Sequence, residues 1–287
     1  MKTSRTFWVW SLVLAGTAFA CFCIWQSRSQ NPRLEYAYIL DFPPKWRLTV
    51  RLNGQPVNTF EHNSGIADVS LFVVDGSNEL AIDAEPLDKD SFNWQFHFGR
   101  TKNLRSSDQS ETLFSRDLSL EEAPIHATFQ FRASMPCRWT WQDADEISEL
   151  SKEDRDGIRK LIGHTANVFR MKSIDSLTRL HEENVNFGPD QFPLLSGQAP
   201  PPILQEQETV KRVFDYPDYT VTTVPSERIR FDVGSRIVRV WADGQEWVIR
   251  AGKPPDYKSI SGEWCYNLGA SRYYAIKLHG KWRLVNY

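Results

Sequence analysis

Hydrophobic positions fall into three patterns along the chain, and the first is an unbroken apolar run over residues 7–25. The run contains no charged residue, and as a helix it would be about 28 Å long, close to the thickness of a bilayer's hydrocarbon core. Lys2 and Arg5 precede it, so the positive-inside rule predicts a cytoplasmic N-terminus and a body on the outer side. Residues 1–30 are therefore predicted to be a single-pass anchor in an inner membrane, with the rest of the chain in the periplasm.

Two other interpretations of this segment stay open. The tripeptide Ala-Phe-Ala at residues 18–20 is similar to a signal-peptidase cleavage site, which predicts a signal peptide removed on export. Cys21 follows directly and makes the segment similar to a lipoprotein signal, so Cys21 is the candidate lipidation site. Trp8, Trp10 and Trp25 favour the uncleaved anchor, because indoles at the two ends of a spanning helix lie at the membrane interfaces.

The second pattern, an alternation of hydrophobic and polar positions, occupies residues 35–141. Turn residues, including Asn53-Gly54 and Asp75-Gly76, separate the alternating runs, and no helical period occurs. Short strands bounded by turns predict a β-sandwich domain. Residues 100–116 are rich in Ser, Thr, Lys, Arg and Asp and are predicted to be a long polar loop. The hydrophobic members of the runs are Trp46, Leu48, Val50 and Leu52; Val69, Leu71 and Val73; Leu80, Ile82 and Ala84; Phe92, Trp94, Phe96 and Phe98; and Ile125, Ala127, Phe129, Phe131 and Ala133.

The third pattern, a helical period, opens a second domain over residues 143–287. Ser151 and Asp154 form a capping box, and the apolar positions after them recur every three to four residues. A shorter helix capped by Ser173 and a weaker one starting near Ile203 follow. Strands are then predicted at residues 219–224, 228–233, 237–242, 245–250, 273–278 and 281–287.

Asp243-Gly244 separates two of these strands and has the turn chemistry of a tight two-residue hairpin. The strands on its two sides are therefore predicted to pair with each other. Tyr274 and Trp282 are predicted to fill the core beneath the helices. Taken together, the three patterns predict an α+β fold class with an N-terminal transmembrane helix.

Two segments resemble known families. The sequence from Leu52 to Leu80, a strand followed by Asn-Gly and then by a strand with the pattern Gly-x-Asn-x-Leu, resembles immunoglobulin-like and jelly-roll accessory modules. That resemblance supports a sandwich and implies no activity. Residues 173–189 and the closing Gly280-Lys281-Trp282 resemble the nuclear-transport-factor-2-like superfamily. In this cone fold a bent sheet wraps helices and leaves a pocket, and its members are isomerases, hydratases, ligand carriers or interaction domains.

Composition excludes some classes of function. Lys plus Arg number 34 against 36 Asp plus Glu, without a long basic run, so the electrostatic footprint of a nucleic-acid binder is missing. Of the four cysteines, only Cys137 and Cys265 lie in the body. They form either a long-range disulfide, which suits an exported protein, or two free thiols. Both interpretations stay open.

An enzyme of the cone fold needs a titratable group in its pocket. Asp175, His164 and His181 are the candidates. Asp175 falls in the first turn of the short helix, where a carboxylate stabilises the helix dipole. His181 lies on the apolar stripe of that helix, and His164 has no acidic partner at helical spacing. No catalytic residue is therefore predicted, and Asp175 and His181 remain candidate polar groups of a pocket.

Motifs for metals and cofactors are missing from the sequence. The six histidines never fall three or four residues apart, and no His-Glu-x-x-His motif occurs. The chain contains no Gly-x-Ser-x-Gly elbow, no Walker loop and no Gly-x-Gly-x-x-Gly turn. The sequence therefore predicts no metal and no cofactor.

Aromatic residues concentrate in the final strands. Alternation along a strand cannot bury all of them, so some are expected to form a face for a protein partner. The leading hypothesis is a non-enzymatic, membrane-anchored, protein-binding module, in one form an immunity-type protein that neutralises a toxin. The alternatives are a cone-cavity enzyme or carrier of a small ligand, and an envelope assembly component. The candidate partner-binding residues are Trp241, Trp247, Trp264, Tyr266, Tyr273 and Arg239, with Arg236 and Arg250 nearby.

Overall fold

The computed structural model describes residues 35–40, 45–60, 65–87, 91, 93–101, 111–135, 138–186, 207–243, 248–252, 268–270 and 272–286. All of them belong to one unit of the chain, Glu35–Tyr287. The predicted anchor over residues 7–25, with Cys21, lies outside the described residues. Within those residues, no helix has the length and apolar character needed to cross a bilayer.

Eight strands of the described chain form two four-stranded antiparallel sheets in the N-terminal half, residues 35–135. One sheet has the order β4-β1-β6-β7 and the other has the order β3-β2-β5-β8. The strands are β1 (Glu35–Leu40), β2 (Trp46–Leu52), β3 (Gln55–Phe60), β4 (Gly65–Asp68), β5 (Gly76–Pro86), β6 (Trp94–Thr101), β7 (Glu111–Leu118) and β8 (Ile125–Ala133).

Alternating burial explains why these segments are strands. Trp46, Leu48, Val50 and Leu52 of β2 are almost fully buried, whereas Arg47 between them is exposed. One hydrophobic cluster joins the inward side chains of both sheets. Burial of alternate apolar side chains on a shared face is the main term that stabilises such a pair of sheets. The predicted alternation over β2, β5, β6 and β8 is confirmed.

The prediction of a strand over residues 69–73 is wrong. Ser70–Phe72 forms a turn of 3-10 helix that lies against the core. The reason is that side chains, not a neighbouring strand, supply the hydrogen-bond donors for its carbonyl groups. These donors are Trp141 Nε1 to Leu71 O (3.0 Å), Asn53 Nδ2 to Phe72 O (2.8 Å) and Trp139 Nε1 to Val73 O (2.6 Å).

The prediction of a polar loop over residues 100–116 is wrong at both ends of that range. Strand β6 continues to Thr101 and β7 begins at Glu111, with residues 102–110 outside the described part. Strand β7 is at the edge of its sheet, and most of its side chains are exposed. An edge strand of this kind has no alternating apolar signal, so its sequence is typical of a loop.

The C-terminal half, residues 151–286, combines helices with strands, and the α+β class is confirmed. A five-stranded sheet has the order β11-β12-β15-β16-β9, and a three-stranded sheet has the order β10-β13-β14. The helices are α1 (Lys152–Met171), α2 (Ile174–Glu183) and α3 (Gln207–Phe214). The strands are β9 (Val185–Asn186), β10 (Thr220–Thr223), β11 (Ile229–Val233), β12 (Ile237–Ala242), β13 (Ile249–Gly252), β14 (Leu268–Ala270), β15 (Arg272–Leu278) and β16 (Lys281–Asn286).

Capping interactions define the two ends of helix α1. Ser151 Oγ accepts from Asp154 N at 3.0 Å, and Asp154 Oδ2 accepts from Ser151 N at 3.2 Å, so the predicted capping box is confirmed. The helix ends at Lys172, which adopts a left-handed conformation with φ of 51°. Ile158, Ile162 and Phe169 are buried against the sheet, as the helical period predicts.

The predicted hairpin around Asp243-Gly244 is wrong. Strand β12 pairs with β11 on one side and with β15 on the other. Both sides of β12 are therefore occupied, and β13 cannot pair with it. Strand β13 pairs instead with β10 and β14 in the three-stranded sheet. Turn chemistry alone does not decide sheet membership.

Candidate functional site

The predicted partner-binding residues do not share one surface. Trp241, Arg239 and Tyr273 lie in the described chain, whereas the remaining members lie outside it. Strand β12 places Ile237, Arg239 and Trp241 on one face of the five-stranded sheet by alternation. Tyr273 is opposite Val240 in the register, so it lies on the other face, towards the helices. Outside the described residues are Trp247, Trp264 and Tyr266, together with the cysteines Cys137 and Cys265.

Arg239 is buried and does not form part of an exposed surface. Its residue exposure is 2%, and its Nη2 lies 2.7 Å from Asp232 Oδ2 on the neighbouring strand. The register places Asp232 directly opposite Arg239 on the same face. Because a buried charge is costly without a counter-charge, the carboxylate is the group that permits Arg239 to be there.

Trp241 follows Arg239 on this face and is half-buried. The guanidinium carbon of Arg239 lies 5.4 Å from the centroid of the Trp241 ring. This distance allows a cation–π interaction, which orients the indole without closing it off from solvent. A buried ion pair therefore supports a half-exposed aromatic side chain.

A pair of charged residues lies beside Trp241 on the neighbouring strand and at the end of β12. Arg230 is opposite Trp241 in the register and forms an ion pair with Asp243. Arg230 Nη1 also donates to Glu227 O at 2.6 Å, and Arg228 Nη2 donates to Asp243 O at 3.0 Å. These bonds hold the basic side chains in place. We call Arg230, Trp241 and Asp243 the Trp241 surface; the buried ion pair of Arg239 with Asp232 lies beneath it and supports it.

Tyr274 and Trp282, both predicted to fill the core beneath the helices, lie on opposite faces of the five-stranded sheet. Tyr274 is 2% exposed and packs on the side of the sheet that faces the N-terminal half, because its ring lies 5.4 Å from that of Phe72. The prediction that it fills the core beneath the helices is therefore wrong. Trp282 does pack against α1, where a Cβ on Gly157 would lie 3.6 Å from its ring.

Two of the candidate groups, Asp175 and His164, are exposed on the helices, whereas His181 is half-buried. Asp175 is exposed in the first turn of α2, as the helix-dipole argument predicts. His181 is half-buried in the last turn of the same helix. His164 on α1 lies 3.4 Å from the Glu183 carboxylate, an acidic partner that helical spacing did not reveal because it comes from another helix. The ion pair of His164 with Glu183 is exposed and is not a buried acid–base pair.

The space between the helices and the five-stranded sheet holds hydrophobic side chains. In a cone fold this space would contain the pocket. The buried residues from the two sides form one cluster. From the helices they include Ile158, Ile162, Ala166, Phe169, Leu177 and Leu180, and from the sheet Val238, Val240, Ala275 and Leu284.

Asp154 is an ionisable group whose pKa departs strongly from its ordinary value. A hydrogen bond from Trp282 Nε1, 2.7 Å from Asp154 Oδ1, is the largest cause and lowers the pKa to about 2. Burial opposes this shift, and the bonds from Lys277 Nζ at 3.0 Å and from Ser151 add to it. The capping box predicts where Asp154 lies, but no sequence signal predicts the two distant donors.

Tyr219 has a pKa that is shifted in the opposite direction, upward. Burial raises the pKa of its hydroxyl to about 12, and the hydroxyl donates to Phe169 O at 2.8 Å. The Lys172 ammonium lies 4.5 Å from the centre of the ring and donates to Phe214 O at 2.9 Å. Both Asp154 and Tyr219 therefore use their polar atoms to fasten the ends of α1.

The described residues contain no group of three or more His, Cys, Asp or Glu side chains placed to hold a metal ion. Comparison of the chain with family models, curated proteins and solved structures yields no match. The geometry of the site is thus the basis on which a function is proposed.

Proposed function

We propose that this protein is a non-enzymatic, membrane-anchored module that binds another protein in the periplasm. In this proposal residues 7–25 are the inner-membrane anchor, the N-terminal half is a β-sandwich of the immunoglobulin-like or jelly-roll kind, and the C-terminal half is a cone fold. The order of the helices and strands in the C-terminal half, with three helices preceding the main run of antiparallel strands, supports the cone-fold resemblance.

The observation that carries the proposal is the Trp241 surface. Tryptophan and arginine are the residues that most often dominate binding energy at protein interfaces. Trp241 is half-exposed, its ring is fixed by Arg239, and its border carries Arg230 and Asp243 in fixed positions. A rigid aromatic group inside a polar rim loses little side-chain entropy when a partner covers it.

The hydrophobic filling beneath the helices also supports a binding role over a pocket chemistry. Val240 of the sheet and Ile158 of α1 are both fully buried within one cluster. A cone-cavity isomerase or carrier needs an apolar cavity with a polar group at its base. Of the ionisable groups considered for that role, Asp175 and His164 are exposed, and His181 is half-buried in the last turn of α2.

An immunity-type role is the concrete form that we propose. An anchored body on the outer side of the inner membrane meets a toxin before the toxin reaches its target. A binding module that neutralises a toxin also needs shape and charge complementarity, with no chemistry of its own. The toxin would then cover the Trp241 surface.

The test is capture followed by reconstitution. The full-length chain is used to retain proteins from envelope extracts, and each retained protein is purified and measured for direct binding. Trp241→Ala should weaken binding of the true partner by roughly thirtyfold, the loss of one interface hot spot. Lys160→Ala, an exposed position on α1, is the control and should bind as the unaltered chain does. A partner bound equally by all three chains, or turnover of a small substrate, would refute the proposal.

A further inference from the structure

The two halves of the described chain meet at a joint in which Gln55 is central. Gln55 starts β3 and is 1% exposed. Its Nε2 donates to Ser235 Oγ at 2.6 Å, and its Oε1 accepts from the backbone nitrogens of Arg236 at 3.1 Å and Ile237 at 3.0 Å. A side chain of the N-terminal half thus provides hydrogen bonds for the turn between β11 and β12. We call these contacts the Gln55 joint.

Strand β3 also packs tightly against the turn between β11 and β12. A Cβ placed on Gly234 would lie 2.5 Å from Pro56 Cδ and 2.7 Å from Gln55 Oε1, so only glycine leaves room for β3. Arg51 Nη1 donates to Val233 O at 3.0 Å beside it. The turn between β11 and β12 is therefore held on both sides by residues of the facing half.

Next to the Gln55 joint, apolar side chains of the five-stranded sheet pack against the N-terminal half. Ile237, Tyr274, Ile276 and Val285 belong to the C-terminal half, yet they pack in the hydrophobic cluster of the N-terminal half. The Tyr274 hydroxyl also donates to Val57 O at 2.8 Å in a buried position. Separating the halves would expose these side chains to water and lose the hydrophobic stabilisation that their burial provides.

The segment that links the halves is itself fastened to both. Within residues 138–150, the Trp139 and Trp141 indoles donate to carbonyls of the N-terminal half. Asp145 N donates to Lys277 O at 2.7 Å, and Ile147 N donates to Ser235 O at 2.8 Å. Arg236 donates in return to Ala144 O. A flexible linker would lack these bonds.

We propose that the joint is fixed, so that the two halves move and unfold as one cooperative body and not as two domains on a hinge. Any surfaces that the halves present to a partner are then held at constant spacing and orientation. The joint stays fixed whether or not the protein binds a partner.

Native-state hydrogen exchange on the full-length chain tests the proposal. The slowest amides of β5 in one half and of α1 in the other should open with the same equilibrium constant, because both open by unfolding of the whole body. Gln55→Met keeps the length of the side chain but leaves two buried N–H groups without their acceptor. It should raise the opening constant in both halves together, by about tenfold to a hundredfold.

Gln130→Met is the matched control. Gln130 lies in β8, at the opposite edge of the sheet that contains β3, and is exposed, with its amide bonded to Glu79. This substitution should change exchange in neither half by more than about twofold. If Gln55→Met does not fold, Ser235→Ala removes a single partner of the same network and is measured instead.

Two results would overturn the fixed joint. One is a difference of more than tenfold between the opening constants of β5 and α1 in the unaltered chain, since that comparison needs no variant. The other is a rise confined to one half in Gln55→Met or Ser235→Ala. Equal opening constants of β5 and α1 in the unaltered chain, and a rise in both halves of the variant, support the fixed joint.

Discussion

Asn53 Nδ2 donates a 2.8 Å hydrogen bond to Asn78 Oδ1 and so ties the turn after β2 to the start of β5. Asn53 is in the left-handed region with φ of 54°, which asparagine tolerates better than most residues. Asn78 is 1% exposed, and its amide also bonds Val74 N, Val74 O and Gly76 O. Two short motifs that the sequence shows separately thus form one structural unit.

Asn78→Ala should therefore be strongly destabilising. It removes the partners of at least two buried backbone groups and of Asn53, so we expect a loss of about 3 kcal/mol in the free energy of unfolding. Denaturation in urea, followed by tryptophan fluorescence, measures the loss. Asn167→Ala, at an exposed position of α1, is the control and should stay within about 0.5 kcal/mol of the unaltered chain. Equal effects of the two substitutions would contradict the role given to Asn78.

Gly234→Ala should destabilise the joint between the halves. The new methyl group would overlap Pro56 Cδ and the Gln55 side chain, so we expect a loss of about 3 kcal/mol from overpacking. Gly163→Ala is the matched substitution, because Gly163 is exposed in α1 and a Cβ there meets nothing within 4 Å. Alanine in the helix should stabilise the chain by about 0.5–1 kcal/mol. Thermal unfolding should show midpoints that move in opposite directions.

Stability should fall in acid through Asp154. Its pKa is lowered from 3.8 to about 2 in the folded chain, so its contribution is complete above pH 4 and disappears as the pH falls through 2. The shift corresponds to about 2 kcal/mol for a carboxylate that is 20% exposed. Asp154→Asn should lose roughly that amount at pH 7 and should show a flatter profile between pH 4 and 2. Urea denaturation at a series of pH values measures both effects.

The control for that series is Asp156→Asn, which removes a half-exposed carboxylate of α1 whose ion-pair partner is Arg159, 3.2 Å away, and not Trp282. We expect it to change the free energy of unfolding at pH 7 by less than about 0.5 kcal/mol. If both variants gave the same profile, the acid sensitivity would not come from Asp154.

Trp282→Phe tests the cause of the shift separately. Phenylalanine keeps an aromatic ring against Gly157 but removes the N–H group that donates to Asp154. Because this bond is the largest cause, the pKa of Asp154 should rise towards its ordinary value, and stability at pH 7 should fall by about 1 kcal/mol. Titration of the Asp154 carboxyl carbon by NMR follows the pKa. An unchanged titration would assign the effect to Lys277 and Ser151.

The local pattern of apolar and polar residues predicts those helices and strands in which the buried positions follow from the geometry of the element itself. Strand β2 buries every second side chain, and α1 starts at the Ser151 cap, since both patterns depend only on the geometry of a single element. The residues that give these signals are neighbours in the chain. The edge strand β7 lacks such a signal because its side chains remain in solvent.

Pairing between distant segments decided which side chains of the C-terminal half are buried and which strands share a sheet. The candidate partner residue Arg239 is buried because Asp232 on the neighbouring strand supplies its counter-charge, and Tyr274 faces the N-terminal half because of the register between β12 and β15. Strand β13 belongs to a different sheet from β12 because both edges of β12 are occupied. Neither alternation nor turn chemistry contains this information.

The sequence by itself determined the α+β class, the alternating strands of the N-terminal half and the capped helix α1, because each follows from residues a few positions apart. Only the tertiary structure decided that Trp241 stands half-exposed beside a buried ion pair, and that Gln55 bonds a turn 180 positions along the chain. Hydrogen bonds and burial between such distant segments depend on how whole elements pack, and no local pattern of side chains encodes them.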